Sequence, residues 1–468
     1  MTAKEMSKKV SIIGAGIGGL AAALRLRQHG FEVDIFEAGS HAGGLASRVR
    51  VESYSYDGGP YVVLDKPGLE WSFRELGLDL DKSIPMKRIE NIYEVYLPGK
   101  LDSIKIFHSL SKTLEGFKEA APNYNRYVHK MKEIYDRLTP LQRASGPGPW
   151  KLIAMGAFRE ILFLMKSLKS VFIEFGLDDS LKEVLGIWTR VAGQKLEQAP
   201  SPLALIPSVI HFHGCFLPIS GISEVPEVLF QQAVQQGVRF HFNKKVSKII
   251  LSQERRPRVQ GIKFEDGLTV GCENILSNSN GVGTYLNLVG QENPFLKSLP
   301  LQSPGFCLYL VCKGSLPEFY LQFSLKPDQC RVFISPRSVL GGADEWWEAR
   351  IIQPLTHSTA AADDPDIQNQ LMDEILGEVW WRKGITEFKV LKRRTTKNWA
   401  QDFNLYRDSM NPVMTAEFMR RGRIAHRSKD IQGLYLAGSS THPGQWVSFA
   451  AISGILSADL LIHDFESK

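Results

Sequence analysis

A glycine-rich loop near the start of the chain constrains the fold more than any other feature. Residues 14–19 read GAGIGG and satisfy the GxGxxG pattern directly after the short apolar run Val10–Ile13, which predicts a strand. Apolar residues at helical spacing follow the loop from Leu20 onward, and Gly30 indicates where that helix ends. Phe31–Glu37 largely alternates apolar and acidic residues, as a second strand would. The start of the chain therefore predicts one strand–helix–strand unit.

The residue types in this unit predict a site for a dinucleotide. Gly14 allows the tight turn, Gly16 lets a pyrophosphate approach the backbone, and Gly19 lets the helix pack on the sheet. The N-terminus of the helix supplies free N–H groups and a partial positive charge for the phosphates. Glu37 lies about twenty residues further on, where an acid binds the ribose hydroxyls. A purely structural glycine turn is the alternative, but strand, helix, second strand and acid together favour a dinucleotide. The loop alone does not distinguish NAD from FAD.

Composition indicates an ordinary globular protein of more than one domain. The chain has 468 residues, 43% of them hydrophobic and 23% charged, and a single compact core rarely extends over so long a chain. A net charge of +6, with acidic and basic residues interspersed, does not indicate a nucleic-acid partner.

The cysteines and the N-terminus indicate the compartment. An odd number of cysteines without CxxC spacing indicates free thiols in a reducing compartment; they are Cys215, Cys272, Cys307, Cys312 and Cys330. No uninterrupted apolar run reaches the ~18 residues of a membrane span. A cleaved signal peptide would destroy the glycine loop, so we expect a cytoplasmic protein.

Segments beyond the loop resemble those of a known group of flavoproteins. Glu37–Gly44 resembles the ExxxxxGG extension of the flavin amine oxidase and phytoene desaturase superfamily, and residues 57–61 (DGGPY) resemble its D-x-G-P segment beneath the flavin. Residues 243–249 (NKKVSKI) are similar to the strand in which a valine backbone, here that of Val246, hydrogen-bonds the adenine. Residues 277–285 resemble the SNAD…TY stretch of bacterial-type phytoene desaturases. Residues 433–444 (GLYLAGSSTHPG) resemble that group's GLYL(V/A)GxxTHPG.

This resemblance implies FAD as the cofactor and an α/β fold. The implied architecture is a Rossmann-type FAD-binding domain of the GR2-like, amine oxidase type, joined to a substrate domain with a mixed sheet and helices. The residues implied for FAD binding are Gly14, Gly16, Ile17, Gly18, Gly19, Glu37, Ala38, Gly43, Gly44, Leu45, Arg48, Gly58, Gly59, Pro60, Tyr61, Val246, Asn278, Gly438, Ser439, Gln445, Trp446 and Val447.

Two departures from the family pattern bear on the substrate. Leu45 stands directly after the glycine pair, where the family usually has Arg or Lys, and the nearest cation is Arg48. After THPG, residues 445–454 (QWVSFAAISG) are closer to the helix start of amine oxidases than to the small residues and proline of carotenoid desaturases. We therefore expect an altered lining of the flavin face and an apolar isoprenoid or polyene substrate that need not be phytoene.

The expected chemistry is hydride removal from an activated C–H bond to flavin N5. A helix beginning near Val447 would direct its N–H groups at the N1/C2=O edge of the flavin, where negative charge grows on reduction. His442 and Trp446 are the candidate catalytic residues, and for His442 a packing role near the ribityl chain is favoured over a role as base. His211 and His213 alternate on an expected strand; without a third ligand they are interpreted as wall residues, and no metal is expected.

We expect the FAD-binding domain to be discontinuous, made of residues 1–75, 221–290 and 425–468, and the substrate domain to comprise residues 76–220 and 291–424. Residues 151–175 are strongly apolar and include four cations, Lys151, Arg159, Lys166 and Lys169. One interpretation is an amphipathic helix lying on the inner face of the membrane, as a lipid-dissolved polyene would require. The other, the commoner fate of such a segment, is a wall of the substrate tunnel or a packed helix of the substrate domain.

Several functions are compatible with these features. The leading hypothesis is an FAD-dependent desaturase or dehydrogenase of an apolar isoprenoid or polyene. The alternatives are an amine- or porphyrinogen-type oxidase, suggested by the helix start at Trp446, a redox-neutral isomerase or a saturase, and a non-enzymatic prenyl-protein escort of the Rab GDI type. The intact glycine loop, Glu37 and the Gly43–Gly44 pair argue against the escort, which has no need of tightly bound FAD.

Overall fold

The computed structural model describes residues 8–100, 102–145, 149–154, 156–326, 329–335, 345–357 and 364–467. Its strands are β1 (Lys9–Ile13), β2 (Glu32–Phe36), β3 (Arg48–Val51), β4 (Tyr54–Asp57), β5 (Met86–Arg88), β6 (Asn91–Tyr96), β7 (Ile104–Phe107), β8 (Phe216–Pro218), β9 (Arg239–His241), β10 (Val246–Leu251), β11 (Val259–Phe264), β12 (Thr269–Gly271), β13 (Ile275–Ser277), β14 (Phe306–Gly314), β15 (Leu321–Lys326), β16 (Gln329–Ile334), β17 (Trp347–Gln353), β18 (Ile385–Arg394) and β19 (Leu434–Leu436). Its helices are α1 (Ile17–Gln28), α2 (Lys66–Glu75), α3 (Leu80–Ser83), α4 (Leu110–Phe117), α5 (Ala121–Gln142), α6 (Pro149–Ala154), α7 (Phe158–Leu164), α8 (Leu168–Glu174), α9 (Asp179–Leu185), α10 (Ile187–Val191), α11 (Ile206–Phe212), α12 (Glu224–Gln235), α13 (Gly281–Gly283), α14 (Pro294–Ser298), α15 (Pro365–Gly377), α16 (Thr396–Phe403), α17 (Ala416–Arg421) and α18 (Val447–Glu466).

The glycine loop belongs to a parallel sheet with the strand order β19-β13-β1-β2-β9. β1 lies in the middle, where Ser11 pairs with Ile275 on one side and with Asp34 on the other. Most residues of β1 and β2 are buried, because α1, α12 and α18 pack against one face of the sheet and the antiparallel sheet β10-β11-β12 packs against the other. The strands come from residues 9–36, 239–241, 275–277 and 434–436, so distant parts of the chain meet in one sheet.

Helix α18 crosses α1 at very short range. A Cβ on Gly454 would lie 2.1 Å from the carbonyl oxygen of Gly18, so only glycine allows this crossing. By length and composition α18 could cross a membrane, since its best window has a mean hydropathy of 1.4, but 67% of that window is buried inside the protein. In this fold it is a core helix, and its N-terminus is held beside the glycine loop.

A second, mixed sheet has the strand order β18-β14-β17-β16-β15-β6-β7. β15 and β6 are parallel, and the other neighbours in this sheet are antiparallel. Helices from residues 110–212 pack against it, so that Tyr93 and Phe323 of the sheet share one core with Tyr124 and Phe172 of the helices. The predicted fold class, a Rossmann-type α/β unit with a mixed-sheet and helical part, is confirmed.

The structure corrects the expected strand at His211 and His213. His211 lies in α11 and His213 follows at its C-terminal end; Pro207, in the first turn, was the available signal for a helix start. His211 is buried, with Nε2 2.8 Å from the Tyr124 hydroxyl. Within the described residues, no group of three or more His, Cys, Asp or Glu side chains is placed to hold a metal ion.

The structure also corrects the expectation of a single helix over residues 151–175. The described part of this segment forms α6, α7 and α8. Gly156 interrupts it with a φ of +71°, and the Ser167 hydroxyl starts a new helix by accepting the N–H of Ser170.

Candidate active site

The glycine loop joins β1 to α1 at the carboxyl edge of the parallel sheet. Gly14 has a φ of +95°, which glycine adopts without strain, and its N–H donates to the Phe36 carbonyl at 2.9 Å. Gly16, the residue before α1, provides no side-chain cap for the helix. The N–H groups of the first turn of α1 are therefore suited to bind phosphate oxygens.

Glu37 and the second glycine pair lie directly against this loop. One carboxylate oxygen of Glu37 accepts the N–H of Ala15 at 2.8 Å, and the other accepts a backbone N–H at 2.7 Å. The N–H of Gly43 donates to the Ala15 carbonyl at 2.9 Å. A Cβ on Gly44 would lie 3.3 Å from the Cα of Gly16. The two sequence motifs thus form one wall.

A cavity of about 1100 Å³ opens beside the loop. Most of the residues implied for FAD binding line it: Gly14, Gly16, Ile17, Gly18, Glu37, Ala38, Gly43, Gly44, Leu45, Gly59, Pro60, Tyr61, Val246, Asn278, Gly438, Ser439, Gln445, Trp446 and Val447. Gly19, Arg48, Gly58 and His442 are not among its lining residues. The fold therefore brings together sequence motifs that lie more than 400 residues apart.

Gly19 and Gly58 lie behind the cavity wall and shape it. A Cβ on Gly19 would lie 2.2 Å from the carbonyl oxygen of Gly14, so the turn itself excludes a side chain there. A Cβ on Gly58 would lie 2.5 Å from the Ser47 carbonyl oxygen, so two backbone segments pack directly on each other. Gly19 and Gly58 therefore shape the cavity indirectly, because the absence of a side chain lets neighbouring backbone segments pack closely.

Arg48 and His442 make other contacts. Arg48 Nε donates to the Ser223 hydroxyl at 3.2 Å, next to the start of α12. His442 Nε2 lies 2.8 Å from the carbonyl oxygen of Leu141, and burial lowers the pKa of His442 to about 3. His442 thus connects the end of α5 to the segment before α18.

The N-terminus of α18 forms another wall of the cavity. Trp446 precedes the helix and supplies no side-chain cap, and Trp446, Val447 and Ser448 line the cavity. The Trp446 ring stacks on Phe449, with centroids 4.7 Å apart and an interplanar angle of 12°. The free N–H groups of this first turn place a partial positive charge at the cavity.

Part of the cavity wall is apolar, and several of its residues come from segments without motifs. Its side chains also pack against the core of the helical part; they are Tyr61, Val62, Trp188, Val191, Ile352 and Trp446. Trp188 and Val191 belong to α10, and Ile352 belongs to β17. Residues 397–408, from α16 and the segment after it, line another side. Tyr61 and Trp446 were expected at the cofactor from their motifs. The other residues of these walls were not, since nothing in their pattern separates a cavity wall from core; they are Val62, Trp188, Val191, Ile352 and residues 397–408.

The residues present fit a flavin dinucleotide. Two helix N-termini without side-chain caps face the same cavity, one at the glycine loop and one at Val447. Where the backbone forms the wall, glycines leave room beside the Asn278 side chain. A Cβ would lie 2.8 Å from that side chain at Gly16 and 2.7 Å from it at Gly438. The cavity is at the upper end of the ~300–1,000 Å³ that small-molecule sites usually occupy, as a large cofactor with a substrate requires.

Comparison with known proteins agrees with this geometry. The family model of the flavin containing amine oxidoreductases matches residues 17–279. A zeta-carotene-forming phytoene desaturase from Myxococcus xanthus is 24% identical, over 99% of this chain and 95% of its own. A 4,4'-diapophytoene desaturase (4,4'-diaponeurosporene-forming) from Staphylococcus haemolyticus is 21% identical, over 98% and 99%. Among solved structures, a triple mutant of putrescine oxidase superposes with a TM-score of 0.65 at 13% identity, over 97% of this chain and 99% of that one.

Proposed function

The chain belongs to the flavin-containing amine oxidoreductase family, and from that membership we propose that it is an FAD-dependent desaturase of an apolar isoprenoid or polyene. One observation carries the proposal: a single cavity joins the glycine loop to walls formed by Trp188, Val191 and Ile352. Walls of this kind suit a hydrocarbon chain, because burial of apolar surface drives its binding. The whole-length similarity to two relatives named as carotenoid-precursor desaturases supports the same substrate class.

The protein's own residues would bind the cofactor, orient the substrate and exclude water. The loop N–H groups and Glu37 would hold the pyrophosphate and the ribose of FAD. When bound, FAD would accept a hydride from a C–H bond of the substrate. The N–H groups at Val447 stabilise negative charge at this wall of the cavity. The apolar side chains position the substrate and keep water away from the reacting carbon.

Visible absorbance and anaerobic reduction test this function. The purified protein should be yellow, with a flavin band near roughly 450 nm, and an acyclic polyene added without oxygen should bleach that band. A colourless protein that takes up no FAD would contradict the enzyme and favour a prenyl-protein escort. Bleaching by amines alone would assign an amine oxidase, and reoxidation of the pre-reduced protein by an alkene would assign a saturase.

We also propose that the protein is cytoplasmic and contacts the inner face of a membrane through residues 151–175 and the adjoining Trp150. Six large apolar side chains of this segment are between 45% and 82% exposed: Trp150, Ile153, Phe158, Leu162, Met165 and Ile173. The inward side chains of the same helices are apolar too, among them Leu152, Phe163 and Phe172. Exposed helix faces that combine large apolar side chains with cations, here Arg159 and Lys169, suit the boundary of a lipid layer. The five buried free cysteines support a reducing compartment.

Two matched substitutions test the membrane contact. Leu162→Ser should lower the partition coefficient of the protein onto vesicles of phosphatidylcholine and phosphatidylglycerol by about tenfold, since burial of a leucine contributes about 1.5 kcal/mol or more. Sedimentation with the vesicles measures this coefficient. Leu268→Ser changes an equally exposed leucine, 59% against 57%, in the turn between β11 and β12. Equal losses in both variants, or no sedimentation of the wild type, would contradict this surface.

A further inference from the structure

Asp65 is a buried carboxylate at which three helices meet. It is 2% exposed and precedes α2, where it accepts the N–H of Gly68 at 3.1 Å. The Tyr135 hydroxyl of α5 donates to the same carboxylate oxygen at 2.8 Å. The Ser448 hydroxyl of α18 donates to the other oxygen at 2.9 Å. Capping α2 requires only the first of these bonds, so the contacts with α5 and α18 need a separate explanation.

This carboxylate lies at the cavity, next to the helix start described above. Asp65 and Ser448 both line the cavity, together with Val447. All three donors to Asp65 are uncharged, and burial raises the pKa of Tyr135, which therefore stays a donor. The histidine beside this network, His213, has its pKa lowered by burial and is neutral near pH 7. The groups that hydrogen-bond the Asp65 carboxylate are thus uncharged, and the cation Arg143 acts on this network through its charge on Tyr135.

We propose that Asp65 is a positioning residue of the flavin site, which holds Ser448 and the first turn of α18 at the cavity and lowers the reduction potential of the flavin bound there. The inference rests on the proposed function, since it presumes a flavin in this cavity. A fixed negative charge disfavours the negative charge that reduction adds, and it opposes the partial positive charge of the α18 N-terminus. Asp65 therefore restrains flavin reduction, while its bond to Ser448 fixes the wall against which the reduced form is stabilised.

Asp65→Asn separates the charge from the hydrogen bonds. The amide oxygen of asparagine can accept from Gly68 and Tyr135, and its NH₂ can donate to Ser448, because a hydroxyl also accepts. Tyr135→Phe is the matched control: it removes one hydrogen bond from the same carboxylate but leaves its charge and its bond to α18. Ser448→Ala removes the link to α18, and with it the contact that holds the helix start whose N–H groups stabilise the reduced form.

The measurement is the midpoint potential of the bound flavin in the full-length protein, by anaerobic titration against a reference dye. In Asp65→Asn the ratio of reduced to oxidised flavin at a fixed potential should rise about tenfold, which is about 30 mV for two electrons. In Ser448→Ala the ratio should fall, and Tyr135→Phe should change it by less than about twofold.

Each outcome decides the inference. A yellow Asp65→Asn protein with the wild-type potential overturns it, and so does a Tyr135→Phe shift as large as that of Asp65→Asn, since Asp65 would then serve only the packing of the helices. If Asp65→Asn does not fold, Ser448→Ala decides alone: a lower ratio supports the inference, and an equal or higher ratio overturns it. A wild type that binds no flavin would overturn the proposed function as well, which distinguishes the two failures.

Discussion

The residues of the glycine loop differ in what a side chain would meet at each position. At Gly16 a Cβ would lie 2.8 Å from the end of the Asn278 side chain, which can move. At Gly19 it would lie 2.2 Å from a backbone oxygen, which cannot. Gly16 has a φ of −76°, which any residue adopts. The absence of a side chain at Gly16 is therefore expected to serve ligand binding at the loop. The absence of a side chain at Gly19 is required by the fold of the loop itself.

Gly16→Val should abolish flavin retention in a protein that still folds. Its branched side chain would fill the space through which the pyrophosphate reaches the backbone. We expect native circular dichroism with a ratio of flavin to protein absorbance that falls at least about tenfold. Gly271→Val is the control, because the nearest atom to a Cβ there is 3.8 Å away and the site is remote. A yellow Gly16→Val protein would mean that the phosphates bind elsewhere.

His442 should contribute to the acid sensitivity of the fold. Burial holds its pKa at about 3 in the folded protein, against 6.5 for an unperturbed histidine. The unfolded chain therefore takes up a proton that the folded protein does not, so this stabilisation is complete above about pH 6.5 and is lost as the pH falls towards about 3.

Urea unfolding of His442→Gln measures this effect. Glutamine can still donate to the Leu141 carbonyl, but it does not titrate. Between about pH 7.5 and about pH 5.5 the variant should lose about 1.3 kcal/mol less of its free energy of unfolding than the wild type. His463→Gln, on an exposed side chain, serves as the control. Equal losses in wild type and His442→Gln would show that His442 is not held neutral.

The sequence pointed to cavity residues that belong to motifs, but it did not point to Asp65, which belongs to none. Gly16, Glu37 and Trp446 belong to recognisable patterns, and all three line the cavity. Asp65 was not singled out, although an acid followed by Lys66-Pro67 is a signal for a helix start. Its partners Tyr135 and Ser448 lie 70 and 383 residues away, so no local pattern relates them.

At the scale of elements, the crossing of α1 and α18 couples the two helix N-termini of the cavity. Gly454→Ala should destabilise the protein by about 2 kcal/mol or more and lower its flavin content, since the helices must move apart. Gly377→Ala, at the end of α15, is the control: among the described residues, no atom outside its own helix turn and chain neighbours lies within 4 Å of its Cβ position. Thermal unfolding and the flavin-to-protein ratio measure both effects. Unchanged flavin content in a destabilised Gly454→Ala protein would separate packing from the site.

Elements were predictable where pattern and end signals agree. Gly30, with a φ of +77°, follows the end of α1 as expected, and the alternating Phe31–Glu37 contains β2. The prediction was wrong over residues 151–175, where a continuous apolar pattern concealed the break at Gly156. It was wrong at His211 and His213 because a two-residue alternation over so short a run also fits a helix turn.

At the scale of the molecule, the part built on the parallel sheet was predictable and the part built on the mixed sheet was not. The parallel sheet contains segments that carry recognisable motifs, whereas the segments of the mixed sheet carry none. Trp188, a cavity wall, packs edge-on against the core residue Tyr93 at 5.7 Å. Wall and core have the same composition, so only the assembled fold separates them. The domain limits at 75, 221, 290 and 425 stay predictions.

Because its walls come from both sheets, the cavity should connect flavin binding to the stability of the whole molecule. Protein from which the flavin has been removed should gain about 2.7 kcal/mol in free energy of unfolding when FAD is added at about 100 times the dissociation constant of FAD. Amide exchange should slow at residues 397–408, where Asn404, Arg407 and Asp408 hold positive φ angles that only their surroundings maintain. The buried strand β14 should exchange equally slowly in both states. If FAD slows amide exchange in the glycine loop but not in residues 397–408, then residues 397–408 do not enclose the cofactor. The substrate would then have to enter the cavity past residues 397–408.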